Sequence, residues 1–226
     1  MHSSAQISDA PPRDRLWAVA EIMVAGALVV GANIFDVVPI NETPWLVALG
    51  WLSLRLRGYS WRTLGFQRPA RWVTTVGMAL AAAVALQLIS EFVVEPLTGR
   101  PDLSEFHSLV GNLPASLGML VLIWTIAAFG EEMAYRGYVL NRVAALGHYS
   151  SSAYAMAMVI VSLLFGLGHF YQGLAGIIGS TVSGLFFGFL YLKSGRNLWL
   201  PILAHGFSDT IGLALIYFGL VPGLPG

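Results

Sequence analysis

Apolar residues fill this chain in long runs separated by short polar stretches. The runs cover 16–38, 45–54, 72–90, 113–146, 152–170, 174–192 and 198–221. A helix of about 20 apolar residues crosses the roughly 30 Å hydrocarbon layer of a bilayer. The pattern therefore predicts an all-α fold, a polytopic transmembrane helical bundle of about seven spans, within a range of six to eight. The 45–54 run is short for a crossing. The 113–146 run is longer than one crossing needs, which a strong tilt or a helix end outside the bilayer accommodates. Residues 1–15 are polar, carry Pro11 and Pro12, and read as an N-terminal arm. Residues 16–226 read as a single transmembrane domain.

Composition agrees with the pattern. Of 226 residues, 56% are hydrophobic and 11% charged, against about 25% charged in an ordinary soluble domain. A soluble globular enzyme, a nucleic-acid binder and a disordered chain are excluded. The net charge is zero, so no basic surplus calls for nucleic acid. There is no Cys, which removes disulfides, thiol nucleophiles and thiolate metal ligands. The expected setting is a lipid bilayer, with the chain a multi-pass protein of the cell membrane.

Loop charge gives an orientation. Arg13 and Arg15 precede the first span, and Asp36 and Glu42 follow it without Lys or Arg. Arg55, Arg57, Arg62, Arg68 and Arg71 come next. Glu91, Glu95, Asp102 and Glu105 then face only Arg100. Arg136, Arg142, Lys193 and Arg196 follow. The positive-inside rule applied to this alternation places the N-terminus in the cytoplasm. Trp45, Trp51, Trp72 and Trp199 near span ends read as interfacial anchors. The 58–71 stretch mixes aromatic and basic residues and suits the cytoplasmic interface. Gly176, Ser180, Gly184 and Gly188 recur every four residues and read as a face that packs inside the bundle.

An ionisable side chain in a bilayer is costly and marks function, so the informative residues are those inside the spans. Glu21 and Asp36 sit near the ends of the first, where water or headgroups account for them. His2, His107 and His148 fall in the tail or loops. Three clusters remain. Glu131 and Glu132 are adjacent, and Glu132 and Arg136 are spaced to pair along one face. On an α-helix Glu131 points about 100° away from Glu132, which frees it to face a cavity. Phe165 and His169 share a face in the next run. His205 and Asp209 share a face in the last, and Asp209 is the only carboxylate after Glu132. Such side chains lower their burial cost by converging. Simple spans set His169, Glu131 and His205 at different depths, so convergence requires helices that are tilted, offset or broken.

Two chemistries fit the set. A Glu–His pair can activate water while another His and a polar neighbour hold an oxyanion. Two His and a carboxylate can instead bind a divalent metal such as zinc, with one position open to water. Both hydrolyse. Seryl chemistry is weaker, because Ser208 turns to another face than His205 and no G-x-S-x-G occurs. No H-E-x-x-H occurs either.

In order, EExxxR (Glu131, Glu132, Arg136), FxxxH (Phe165, His169) and HxxxD (His205, Asp209) resemble the motif set of the CAAX prenyl endopeptidase-like family. That family groups type II CAAX prenyl proteases with bacteriocin-immunity proteins. The resemblance implies an intramembrane protease whose motif core spans 113–209. It implies that Glu131 and His169 activate the attacking water and that His205 and Asp209 help hold the oxyanion. Glu132 and Arg136 become supporting residues. Prenyl-protease members often carry Asn where this chain has Asp209. An ionised Asp repels an oxyanion, so Asp209 must be protonated, act through His205 or bind a metal. The implied function is an intramembrane endopeptidase acting on a membrane-associated peptide or protein. A non-catalytic immunity or scaffold protein is the alternative, and a proton-coupled transporter using Glu131 and Asp209 a weaker one, since no inverted repeat is present.

Overall fold

The computed structural model describes residues 12–222 and 224, and over these the fold is all-helical, without a strand. Residues 1–11, most of the expected N-terminal arm and with it His2, lie outside the described residues. Helix α1 runs Pro12–Asn33, so 12–15 are helix and not arm. Proline is well placed in a first turn, where its missing N–H has no helical partner to lose. Helix α2 is Thr43–Leu56, α3 Trp72–Thr98 and α4 Leu113–Leu146. Helix α5 is Ser151–Leu167, α6 Gly173–Lys193 and α7 Trp199–Tyr217. Helices α1, α3, α4, α6 and α7 are long and apolar enough to cross a membrane. The shorter α2 and α5 complete the seven expected segments.

Polar caps start two of the helices. The Asn112 side chain accepts the Ala115 N–H at 3.2 Å ahead of α4, and the Ser150 hydroxyl accepts the Ala153 N–H at 3.2 Å ahead of α5. Each satisfies a donor that the first helical turn leaves unpaired.

Helix α4 departs from the regular α form. From Ile123 to Val139 it is wound as a π-helix, a rare geometry usually confined to single turns. The last π bond runs from the Leu140 N–H to the Tyr135 carbonyl. Where α winding resumes, the hydrogen-bond register steps by one residue. Buried Asn141 covers that step, donating from its side-chain amide to the Gly137 carbonyl at 2.7 Å and the Arg136 carbonyl at 3.2 Å. Its oxygen accepts the Tyr154 hydroxyl at 3.0 Å. The main buried cluster gathers around this segment, with Leu46 of α2, Tyr135 and Tyr138 of α4, Phe165 of α5 and Ile202 of α7.

Helix α5 packs closely on α6. A methyl group built on Gly184 would sit 3.0 Å from the Ser162 backbone, and one on Gly188 would sit 2.7 Å from the Met158 side chain. Those small residues face a neighbouring helix of the bundle, as their spacing predicts. Gly166 is tighter: a methyl group there would lie 2.0 Å from the Thr181 hydroxyl and 2.6 Å from the Ile177 carbonyl oxygen. Backbone cannot rotate away as a side chain can, so Gly166→Ala must part α5 from α6. Overpacking of this kind costs about 1–3 kcal/mol. The thermal unfolding midpoint of Gly166→Ala in detergent should fall by several degrees, and an unchanged midpoint would show that the helices part freely.

One sequence expectation changes, the loop placement of Arg136 and Arg142, and the 58–71 stretch takes a definite form. The 58–71 stretch holds only one short turn of 3-10 helix, Trp61–Leu64. The Gly65 carbonyl accepts the Leu198 N–H at 3.0 Å, pinning the stretch to the α6–α7 turn. Gly65 has φ +100° and lies against the Arg196 carbonyl, a position only glycine fits. Arg136 and Arg142 are not loop residues: both are buried, so neither belongs in a loop-charge count. Arg142 pairs with Glu21 and Asp14, and Asp14 pairs with Arg57 at 3.3 Å. Glu21 thus sits in an ion-pair network at one end of the bundle.

Candidate functional site

The π-wound part of α4 carries Glu131, Glu132, Tyr135 and Arg136 into the interior. Glu132 is 0% exposed and Arg136 1%. The Arg136 Nη1 donates to Glu132 Oε1 at 2.8 Å, and its Nη2 donates to the Gly184 carbonyl at 3.1 Å. The guanidinium lies 4.5 Å from the Phe165 ring centre and 5.4 Å from that of Phe187. A desolvated cation is stabilised by such ring faces.

Glu132 Oε1 also lies 2.9 Å from His205 Nδ1. One carboxylate oxygen therefore joins the arginine to the histidine and fixes the imidazole's direction. Phe187 stacks on that imidazole at 4.6 Å and 21°. The other ring nitrogen, Nε2, faces Asp209 Oδ2 at 3.3 Å and Glu131 Oε2 at 4.0 Å. The latter distance is too long for a direct hydrogen bond.

Glu131 and Glu132 were expected on separate faces. They instead approach the same imidazole from its two nitrogens. The wider π winding turns less per residue than an α-helix, so adjacent side chains stay nearer one face. Their situations still differ. Each has a buried Oε2 with no hydrogen-bond partner, but Glu132 is held through its Oε1 by a cation and a ring nitrogen, whereas among the described residues no hydrogen bond reaches Glu131 at either oxygen. Native structures leave few such atoms, and each invites a functional explanation.

His169 joins the group because α5 stops early. Its 17 residues make a rod of roughly 25 Å, short of a full bilayer, so the turn after Leu167 stays at the depth of the other motifs. His169 lies in the turn that follows. Its Nδ1–H donates to the Phe165 carbonyl at 3.0 Å, which assigns the tautomer and leaves the Nε2 lone pair free. The Phe165 ring bridges the two histidines, 4.9 Å from His169 and 6.1 Å from His205. No hydrogen bond links His169 to Glu131 among the described residues. Arg136, Glu132, His205 and Asp209 thus form one chain of polar contacts, with Glu131 4.0 Å from His205 and His169 beside them across Phe165.

A metal site is not formed by this arrangement. Among the described residues no three His, Asp or Glu side chains are placed to hold one ion. His205 spends both nitrogens on carboxylates and His169 spends Nδ1 on a carbonyl. As placed, the residues do not supply the three protein ligands that a catalytic zinc uses.

Sequence reasoning missed Glu42, read as a loop acid between the first two spans. It is 5% exposed and accepts the Tyr135 hydroxyl at 2.7 Å. An acid directly before a helix normally reads as an N-cap; here it makes no capping bond. Tyr135 was equally silent, being one more aromatic in an apolar run.

No curated protein and no solved structure matches this chain. One family model matches residues 113–211. The matched segment holds every motif residue of the site and leaves α1–α3 outside it. With five apolar spans, it marks a multi-pass membrane protein. That model describes the type II CAAX prenyl endopeptidase Rce1-like family, and it is to this family that residues 113–211 are similar.

Proposed function

We propose that the protein is an intramembrane endopeptidase that hydrolyses a peptide bond of a membrane-associated protein or peptide. The observation that carries this reading is Glu131: a buried carboxylate oxygen without a partner, facing an imidazole that Glu132 and Arg136 hold in place. A scaffold gains nothing from an unpartnered buried acid, which costs stability.

In the proposed reaction, Glu131 Oε2 takes a proton from water while the water oxygen bonds to the scissile carbonyl carbon. The free Nε2 of His169 accepts a hydrogen bond from the same water and orients it. The carbonyl becomes an oxyanion, which the Nε2–H of His205 stabilises. The C–N bond then breaks, and the proton held by Glu131 passes to the departing nitrogen. Asp209 acts through His205, accepting from the same Nε2–H and fixing it as a donor, so its charge does not face the oxyanion alone. We place the N-terminus in the cytoplasm, on the strength of the exposed Arg62, Arg68 and Arg71 between α2 and α3.

The test is purified protein in liposomes, mixed with a membrane-protein extract of the host in water enriched in oxygen-18. Hydrolysis puts one heavy oxygen into each new carboxyl terminus. Labelled termini that require the protein support the reading; their absence favours an immunity or scaffold role. Asp209→Asn should keep most of this activity, because the amide oxygen still accepts from His205. Asp209→Ala should lose about tenfold or more, and equal activity in both variants would remove Asp209 from the mechanism.

A further inference from the structure

Outside the matched segment, one buried acid touches this site. We infer that Glu42 is a positioning residue: its carboxylate clamps the Glu131-bearing helix and the end of α1 to the turn that carries His169. The inference deepens the proteolytic reading and rests on it.

Three contacts meet at this carboxylate. Tyr135 of α4 donates its hydroxyl to Oε1 at 2.7 Å. Asn33, the last residue of α1, donates its amide to Oε2 at 2.9 Å. Gly168 lies against Oε1, where a methyl group built on it would come within 2.9 Å of that oxygen and 3.5 Å of the Tyr135 hydroxyl. Gly168 is the chain neighbour of His169. A second route reaches the same imidazole. The Tyr135 ring packs edge-on against Phe165 at 5.1 Å and 86°, and the Phe165 carbonyl holds His169 Nδ1.

An acid suits this position. In the structure both partners donate and both carboxylate oxygens accept. Glu42→Gln keeps the volume but leaves one acceptor, which can take the Asn33 N–H only if the new amide N–H donates to the Tyr135 oxygen, so the Tyr135 bond must reverse. The variant therefore weakens the clamp without creating a cavity. Asn33 and Glu42 belong to α1 and its connection to α2. The first two helices thus contribute to the geometry of motifs that lie far along the chain from them.

The experiment measures diethylpyrocarbonate modification of each histidine by mass spectrometry, in detergent, for wild type and Glu42→Gln. The readout needs no substrate. His107, exposed in the α3–α4 connection, is the internal reference, and buried His205 reports whether the bundle stays closed. Released from its clamp, His169 should react severalfold faster in Glu42→Gln, with His107 and His205 unchanged. Tyr135→Phe should move His169 in the same direction, and the double variant should add little, since both changes open one clamp. An unchanged His169 rate would overturn the inference. So would His205 accelerating by the same factor, because that is general loosening.

A parallel assay uses a farnesylated CAAX peptide as probe, with Glu131→Gln as control. On the inference, Glu42→Gln lowers kcat by about tenfold to a hundredfold with KM little changed, the cost of a misplaced group. Full activity in Glu42→Gln would count against Glu42 alone. Absence of cleavage by wild type on this probe and on membrane extract would count against the proteolytic reading, while the His169 rates still decide the clamp.

Discussion

Glu131→Gln should abolish peptide cleavage while leaving the protein as stable as wild type. The two expectations come from one observation. Glu131 Oε2 is buried and unpartnered, so an amide of the same shape removes no hydrogen bond that the fold uses. It does remove the site's free carboxylate, and a general base contributes about 10²–10⁴-fold to a rate. Cleavage and the thermal midpoint should be measured on the same preparations. Loss of activity at an unchanged midpoint is the predicted pair. Glu132→Gln provides the contrast, since Glu132 binds both Arg136 and His205 and its replacement should lower stability as well as activity. If Glu131→Gln unfolds the protein as readily, Glu131 is holding the bundle together and the catalytic assignment fails.

Arg136→Met should be the most destabilising single change at the site. It keeps the aliphatic bulk between Phe165 and Phe187 but removes the cation. Glu132 is then left fully buried with His205 as its only partner. Removing one member of a buried ion pair costs about 3–5 kcal/mol, because the remaining charge is uncompensated. Replacing both members by neutral residues often costs far less. Glu132→Gln together with Arg136→Met should therefore be more stable than Arg136→Met alone, by melting in detergent. The double variant should still lack activity, because His205 has lost the carboxylate that orients it. If the single variant melts like wild type, the Arg136–Glu132–His205 unit is not the structural anchor described.

Much of this was legible along the chain, for identifiable reasons. Apolar run length reports helix existence, and seven runs became seven helices. The pairing of Glu132 with Arg136 follows from their spacing. The convergence of Glu131, His205 and Asp209 follows from the cost of an ionisable group in a bilayer. Other features left no such trace. The π winding from Ile123 to Val139 depends on tertiary packing, and the 3.6-residue rule mis-set the relation of Glu131 to Glu132. The depth mismatch between His169 and the other motifs disappears because α5 ends at Leu167, three residues before the apolar run does. Glu42 was hidden by its context, a carboxylate beside a helix start in a polar connection, where solvation or capping is the ordinary outcome. Arg136 misled the charge count for the converse reason, since a cation near a span end reads as a loop residue until its partners are seen.

The most direct test compares peptide termini across the host membrane proteome in a deletion strain. One culture is complemented with wild type and the other with Glu131→Gln at equal expression. The account predicts new termini present only with wild type, clustered on one or a few membrane-associated proteins. Identical profiles, with any deletion phenotype rescued equally by both proteins, would contradict it.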